Sequence, residues 1–531
     1  MTIPYHILIA DPISKKGIHE LEASGQIRIE EKYGLKEPDL LSIISEYDGV
    51  IVRSQTKISR KVIEAGKKLK VIGRAGVGID NVDVEAATEN GIVVMNTPGG
   101  NTIATAEHTF SLLLALARNV PQAHASMQRG EWKRKNFEGI ELFGKVLGII
   151  GLGRVGMEVA KRALAFGMKV KCFDPYLSPT KVKNLQVELV NNLEELFFDL
   201  DFLSLHVPLT SETEGIINKE NLKKCKQGIR LVNCARGGLI RIEDLLELLK
   251  SGWVAGAALD VYDPEPPPAD FPLRGLPNVI LTPHLAASTV EAQENVGTEI
   301  AGMIIDFFCH GIIRNAVNVP SVDPKVLSIL SPYMALGEKL GIFMSQWIPN
   351  RIDELVIYFS GKINEYDTSP LTRAVLKGYL RKVAGKEVNE VNVMFLINTL
   401  GINVKEVKMS SAGEFTEIIG IEAKTNGLIF QAASTFYGKS HRLVQLNFNP
   451  IEASMEGILL LLENKDRPGV VGKVGTILGE HAVNIAAMSL ARAKAQEKAI
   501  SILNLDNIPS PEVLAQIRNT EDIYNVRLIS L

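Results

Sequence analysis

Residues Lys145–Asp174 read KVLGIIGLGRVGMEVAKRALAFGMKVKCFD. The apolar run Val146–Ile150 ends in turn residues and leads into Gly151, Gly153 and Gly156 at GxGxxG spacing. An amphipathic segment follows, and a second short apolar run closes on Asp174. Strand, glycine turn, helix, strand and acid in that order form the layout that holds a dinucleotide. Gly151 permits the tight turn, Gly153 lets a pyrophosphate approach the backbone, and Gly156 lets the helix lie close to the strand. The helix start then offers free N–H groups and a partial positive charge to the phosphates. Asp174 is placed to accept hydrogen bonds from the adenosine ribose and to repel a 2′-phosphate, which favours NAD over NADP.

The chain around this stretch has 531 residues, too many for one core and enough for about three or four domains. Its net charge of -3 provides no basic field for nucleic acid. No apolar run is read as long enough to cross a bilayer, which takes about 20 residues. The opening MTIPYHILIADP lacks the positive start and cleavage site of a signal peptide and is read as a first strand. Cys172, Cys225, Cys234 and Cys309 are scattered without a CxxC pair. That fits a reducing cytoplasm, with no disulfide framework and no metal site. Cys234 is read as a small packed residue rather than a nucleophilic thiol.

Upstream, short apolar runs recur at 5–10, 48–52, 69–72 and 91–95, with helical patterns between them. Such alternation predicts a parallel α/β sheet. Two of the runs end in Arg53 and Arg74. Ligands collect at the carboxyl ends of such strands, and the fixed fork of arginine suits anions. Gly76 and Gly78, directly after Arg74, are read as laying backbone amides open to a ligand. Residues 96–120, NTPGGNTIATAEHTFSLLLALARNV, are a glycine turn running into a long helix that Asn101 or Thr102 would cap. His108, inside it, is read as a core or helix-surface residue. Residues 132–142 form a basic link in which Arg134 and Lys135 are either solvated or help to hold an anion.

Downstream, apolar runs at 202–207, 229–233 and 255–261 build a second α/β unit with the glycine turn near its start. The helical stretch 288–309 is read as a return onto the first lobe. Two crossings between lobes leave a cleft in which a cofactor and a small substrate would meet. Three polar residues lie just past strand ends: Arg236 in NCARGGLI, Glu265 in ALDVYDPEPP and His284 in LTPHLAAST. Passing a hydride from a secondary alcohol to NAD requires removal of the hydroxyl proton, and histidine titrates nearest the working pH. A carboxylate on its other ring nitrogen would orient it and raise its pKa. An arginine would anchor a substrate carboxylate and polarise the carbonyl.

The segments GLGRVG, HVPLT, NCARGGLI, ALDVYDPEPP and TPHLAAST resemble those of the NAD-dependent D-isomer-specific 2-hydroxyacid dehydrogenases. VRSQTKI, GRAGVGIDNVD and NTPGGNT are similar to the substrate lobe of the family's D-3-phosphoglycerate dehydrogenase branch. The resemblance covers nearly the whole chain. It implies an α/β fold, with a Rossmann-type NAD domain (99–287) inserted in a flavodoxin-like substrate domain (1–98 and 288–314). An α+β intervening domain (315–456) and a ferredoxin-like ACT domain (457–531) would follow. By the same resemblance Arg236, Glu265 and His284 are the catalytic set. Cofactor contacts fall on Val77, Gly151, Gly153, Arg154, Val155, Gly156, Asp174, Val207, Cys234, Ala235, Arg236, Asp260, His284, Ala286 and Ala287. Val77 and Val207 stand where some members carry threonine. Substrate contacts fall on Arg53, Ser54, Arg74, Gly78 and Asn101, with Arg134 reaching a neighbouring subunit's site. The implied reaction is NAD-dependent oxidation of 3-phosphoglycerate in serine biosynthesis, with reduction of 2-oxoglutarate as a related activity. Glyoxylate or hydroxypyruvate reduction, and an NAD-sensing corepressor-like role, are the alternatives.

From Asn315 the chain changes character: NAVNVPSVDP is a linker, 325–348 reads as helical, and alternating apolar patterns follow. Lys439, His441 and Arg442 form a small basic cluster read as a solvated turn. Residues 457–531 read strand, helix, strand, strand, helix, strand, a ferredoxin-like unit. KDRPGVVGKVGTIL and HAVNIAAMSL resemble an ACT regulatory domain. That likeness implies that Asp466, Gly469 and Asn484 bind a small amino acid between paired domains, with L-serine the expected effector. The expected partners are a small-molecule substrate and further copies of the chain, in a dimer or tetramer. No nucleic acid or membrane is expected.

Overall fold

The computed structural model describes residues 4–178, 182, 185–349, 351–385, 387–410, 415–492 and 498–531. Val146–Ile150 is a central strand with both faces covered: Leu147 and Ile149 enter one apolar core, Val146 and Ile150 another. A strand buried on both faces is continuously apolar rather than alternating. Across its sheet the strands run Val279–Leu281, Val254–Leu259, Ile229–Asn233, Phe202–Leu205, Val146–Ile150, Lys169–Phe173, Val187–Leu189. All neighbours are parallel. The order reverses between Val146–Ile150 and Phe202–Leu205, the switch point where doubly wound sheets take a dinucleotide.

The N-terminal sheet is also parallel, in the order Ile27–Glu31, Tyr5–Ile9, Gly49–Val52, Val71–Arg74, Val93–Asn96. This is the flavodoxin-like order. The chain leaves it through 97–101 into the helix Thr102–Arg118, which packs on the helix Arg154–Ala165 of the second lobe. It returns through 282–289 into the helix Val290–Ile305, which lies along Lys15–Ala23. Gly17 and Gly297 allow that close crossing, since a Cβ on Gly17 would stand 2.4 Å from the Gly297 carbonyl oxygen.

The helix Pro324–Trp347 opens the C-terminal half. Contrary to the sequence reading, it is long and apolar enough to cross a bilayer by length and composition. Packing accounts for that apolarity. Leu336, Leu340, Phe343 and Trp347 enter a core, and Gly341 brings the helix against Ser369–Leu380, 2.0 Å separating a would-be Cβ from the Val375 carbonyl oxygen. Residues 393–399, expected to alternate as a strand, form a helix that buries Val393, Leu396 and Ile397 at helical spacing. His441 and Arg442 lie in the strand Ser440–Leu446, with His441 Nδ1 and Arg442 Nε buried and unpartnered. Only Lys439 of the basic cluster lies on an exposed turn, and the other two are partly buried in the sheet.

The last sheet runs Ile485–Arg492, Lys498–Leu505, Ile458–Lys465, Ile523–Ser530, all antiparallel, with the helices Val470–Glu480 and Pro511–Arg518. In the run ILLLL, Leu460 and Leu462 face those helices, while Leu459 and Leu461 join the core of the preceding block. The apolar core thus continues across position 457. The C-terminal half is also fastened to the first lobe: Asn389 Nδ2 donates to the Gly91 carbonyl at 2.8 Å. Val391, 3% exposed, sits in the core with Ile7 and Val93.

Candidate active site

The glycine turn forms a cradle. Gly151 has φ +88, and a Cβ on Gly156 would lie 2.1 Å from the Gly151 carbonyl oxygen. Gly153 faces open space, with nothing within 4 Å of a would-be Cβ. It caps Arg154–Ala165 with no side-chain hydrogen bond, so the first N–H groups of that helix stay open to an anion. The Asp174 carboxylate accepts from the N–H of Leu152 and of Tyr176, each at 3.0 Å. Beside it a cavity of about 360 Å³ is lined by Leu152, Gly153, Arg154, Met157, Asp174, Tyr176 and Leu177. These features fit a dinucleotide. Val155 and Val207 are partly buried at this turn, and Ala235 lies at the next strand end, its N–H held by Asn233 Oδ1 at 3.0 Å. Cys234 is 7% exposed and burial pushes its thiol up to about 12, which leaves it packed and unreactive.

Glu265 and His284 come from the loops after two adjacent strands, Val254–Leu259 and Val279–Leu281. His284 Nδ1 lies 2.8 Å from Glu265 Oε2, and Glu265 Oε1 accepts from the Tyr262 N–H at 2.9 Å. The hydrogen bond to Glu265 holds the His284 pKa above its usual value. Burial alone would raise Glu265, but the bonds from His284 and Tyr262 outweigh it and hold the carboxyl below its usual range. His284 has φ +53, a conformation that costs a non-glycine residue on the order of 1–3 kcal/mol. The neighbouring backbone fixes it: Asp260, fully buried, accepts from the N–H of Leu285 at 2.8 Å and of Ala286 at 2.9 Å. Thr282 Oγ1 donates to the same carboxylate at 2.5 Å. Asp260, fully buried here, secures the loop that carries His284. Ala286 is buried with it, while Ala287 accepts from Gln293 Nε2 at 2.7 Å.

Three guanidiniums face the cleft. Arg236, on the cofactor lobe, is held by Asp80 of the substrate lobe at 3.1 Å, so one ion pair spans the two lobes. Arg74 Nε is buried with no hydrogen-bond partner among the described residues. Burial, reinforced by Arg236, pushes the Arg74 guanidinium down to about 10. Arg53 is also lowered by burial, and lies in a cavity of about 690 Å³ with Ser14, Lys15 and Thr289. Gly76 and Gly78 seat these side chains: a Cβ would stand 1.7 Å from Arg74 Nη1 at Gly76 and 1.9 Å from Arg236 Nη2 at Gly78. The Gly76 N–H, expected to open to a ligand, is instead taken by the Arg74 carbonyl at 2.9 Å, while Gly78 stays partly exposed.

Asn101 stands at the N-cap of Thr102–Arg118 but makes no capping bond, and its Oδ1 is buried with no hydrogen-bond partner among the described residues. Val77 and Ser54 are exposed. Arg134 lies on the exposed turn Arg134–Phe137 and makes no ion pair or hydrogen bond among the described residues. In the last block, Asp466 pairs with Arg492 at 3.2 Å and Asn484 Nδ2 donates to Asp506 at 2.7 Å. They flank opposite ends of the strand Ile485–Arg492, about 20 Å apart. A single chain does not bring them together. Gly469, with φ +96, opens onto free space at the start of Val470–Glu480.

A dinucleotide cradle facing a carboxylate–imidazole pair and an arginine cluster is the equipment of an NAD-dependent oxidoreductase acting on an anionic hydroxy acid. Residues 110–286 match the NAD binding domain of D-isomer specific 2-hydroxyacid dehydrogenases, 329–447 the D-3-phosphoglycerate dehydrogenase intervening domain, and 458–522 the ACT domain. The chain is 41% identical to the D-3-phosphoglycerate dehydrogenase of Archaeoglobus fulgidus, over 99% of this chain and 100% of that one. It is 42% identical to that of Methanocaldococcus jannaschii, over 99% of each. Among solved structures it resembles NAD+-bound 3-phosphoglycerate dehydrogenase of Entamoeba histolytica, with 34% identity and a TM-score of 0.51, covering 60% of this chain and all of that one. The chain belongs to the D-isomer specific 2-hydroxyacid dehydrogenases, in the D-3-phosphoglycerate dehydrogenase family.

Proposed function

We propose that the chain oxidises the C2 hydroxyl of 3-phospho-D-glycerate to 3-phosphohydroxypyruvate with NAD, the entry step of phosphorylated serine synthesis. The observation that carries the substrate is Arg74, a buried guanidinium without a partner at Nε, beside Arg53 and Arg236. Desolvating a cation is costly, Asp80 and Asp11 offset that only in part, and a dianionic phosphate would supply further compensating charge. Kinship over the full length with enzymes named for this reaction supports the same reading.

When bound along the Gly151–Gly156 turn, with Asp174 at the ribose, NAD supplies the hydride acceptor. Because the Nδ1–H of His284 is committed to Glu265, its Nε2 lone pair is free to take the hydroxyl proton. Glu265 holds the ring in place and stabilises the imidazolium that forms. The Arg236 fork binds the C1 carboxylate as Asp80 yields to it, and it polarises the new carbonyl. Arg53 and Arg74 meet the phosphate, and the free Asn101 Oδ1 accepts from the substrate.

The protein works as a homo-oligomer. Asp466 and Asn484 can share one effector only if two copies supply them. Arg134 lies in a segment that exposes two aromatic side chains, Trp132 at 75% and Phe143 at 78%, which would suit contact with a second copy. L-serine is the effector of the paired ACT blocks. The free cysteines suit the cytoplasm.

The test follows NADH formation with 3-phosphoglycerate, D-2-hydroxyglutarate, D-glycerate and malate, using NAD or NADP, with and without L-serine. The highest kcat/KM should fall on 3-phosphoglycerate with NAD. Activity on glycerate alone would overturn the reading.

A further inference from the structure

Behind the Glu265–His284 pair lies a second carboxylate–imidazole pair. His108 Nε2 is 3.2 Å from Asp260 Oδ1 and 3.4 Å from Thr282 Oγ1. His108 stands on the helix Thr102–Arg118, the first crossing between the lobes, whereas Asp260 holds 282–286, the start of the second. One buried carboxylate therefore ties both crossings together, with His284 at the middle of the segment it secures. Its acceptor capacity is filled by a hydroxyl, two backbone N–H groups and the His108 ring. Asp260 itself is pinned to the neighbouring strand Ile229–Asn233, its N–H donating to the Asn233 carbonyl at 3.0 Å.

We propose that His108 is a positioning residue of the reaction, acting through Asp260 on the loop that carries His284. The proposal rests on the reading of His284 as the base. A fully buried carboxylate stays ionised only while its charge is matched by donors. Burial would raise Asp260, and the His108 bond leads the interactions that hold it down. Without that donor the carboxylate takes a proton or admits water. Either event weakens its hold on the Leu285 and Ala286 N–H groups. His284 then relaxes from its left-handed conformation and drifts from Glu265. A displacement of about 1 Å at a reacting group costs up to about a hundredfold in rate.

Two substitutions test this in the full-length chain. The Gln of His108→Gln places an uncharged N–H donor near the original Nε2, and His108→Leu removes the donor. His108→Leu should lower kcat by about ten- to a hundredfold, a larger change than any in the KM for NAD. It should also move the acidic limb of the kcat/KM profile to lower pH as the Glu265–His284 bond loosens. Glu265, Asp260 and Arg236 are the charged groups facing His284, and Cys234 and Tyr262 stand beside Asp260. His108→Gln should recover most of kcat and the limb. Wild-type kcat and limb in His108→Leu would overturn the proposal, as would equal losses in both variants with the limb unmoved. If His108→Leu does not fold, Thr282→Val removes the hydroxyl donor from the same oxygen. A shifted limb there supports the proposal and an unchanged one overturns it. No turnover by the unsubstituted chain on any hydroxy acid would overturn the functional reading and the proposal with it. Normal turnover with an indifferent His108→Leu overturns the proposal alone.

Discussion

Glu265 Oε2 sits 2.8 Å from His284 Nδ1, and the two residues reach that distance from loops behind neighbouring parallel strands. The pairing fixes which ring nitrogen is free. It also raises the His284 pKa, so its basic form is populated only above that raised value. Oxidation should therefore climb as pH rises through it. Glu265→Gln removes the charge that raises it and should carry the acidic limb of kcat/KM to lower pH. A limb that stays in place would remove Glu265 from this role.

Gly153 and Gly156 separate cofactor binding from folding. Gly153→Ala meets open space and should leave the melting temperature close to that of the parent, while the added methyl blocks the pyrophosphate and raises the NAD Kd at least about tenfold. Gly156→Ala would drive a methyl to 2.1 Å from the Gly151 carbonyl oxygen and should lower the melting temperature. Calorimetry with and without NAD reads both effects, and identical behaviour of the two variants would contradict the assignment.

Arg74 exchanges stability for affinity. Its unpartnered Nε is buried, so Arg74→Leu should raise the 3-phosphoglycerate KM by about a hundredfold or more. That corresponds to loss of a charge-assisted contact of about 3 kcal/mol. The same substitution removes a desolvated cation that lacks a direct ion pair among the described residues and should leave the free protein as stable or more stable. A lowered melting temperature without substrate, together with an unchanged KM, would refute both halves.

Asp174→Ala should raise kcat/KM for NADP relative to NAD, because the 2′-phosphate no longer meets a carboxylate. The carboxylate also holds the N–H groups of Leu152 and Tyr176, so NAD affinity should fall as well. An unaltered cofactor ratio would take discrimination away from Asp174.

Asn484→Ala should raise the L-serine concentration for half-inhibition at least about tenfold, as expected when a hydrogen bond to a charged ligand is lost. Inhibition curves that superimpose would move the effector elsewhere.

The sequence carried the two parallel sheets and the ferredoxin-like block because strands covered on both faces, such as VLGII and ILLLL, leave an unbroken apolar signature. The strand-end trio was legible for the same reason: a polar residue directly after such a run stands at the sheet's carboxyl edge. What stayed hidden depends on where side chains go. Gly76 looked like an open amide, but its N–H is bonded to the Arg74 carbonyl, and the room for a side chain at Gly76 and Gly78 is taken by Arg74 and Arg236. His108 looked like part of a helix face, and only the tertiary fold sets it against Asp260. The helix Pro324–Trp347 was not read as membrane-length because charged Glu338 and Lys339 interrupt it, yet it builds the core of its block.

The Asn389–Gly91 bond and the buried Val391 bear on how the protein can be dissected. A catalytic fragment ending at the linker after Asn315 would keep both lobes and every residue of the cleft. It would also carry an empty socket where Val391 belongs and a carbonyl stripped of its donor. Such a fragment is a damaged molecule rather than a minimal enzyme, and a loss of activity on truncation would report that wound as readily as a missing signal.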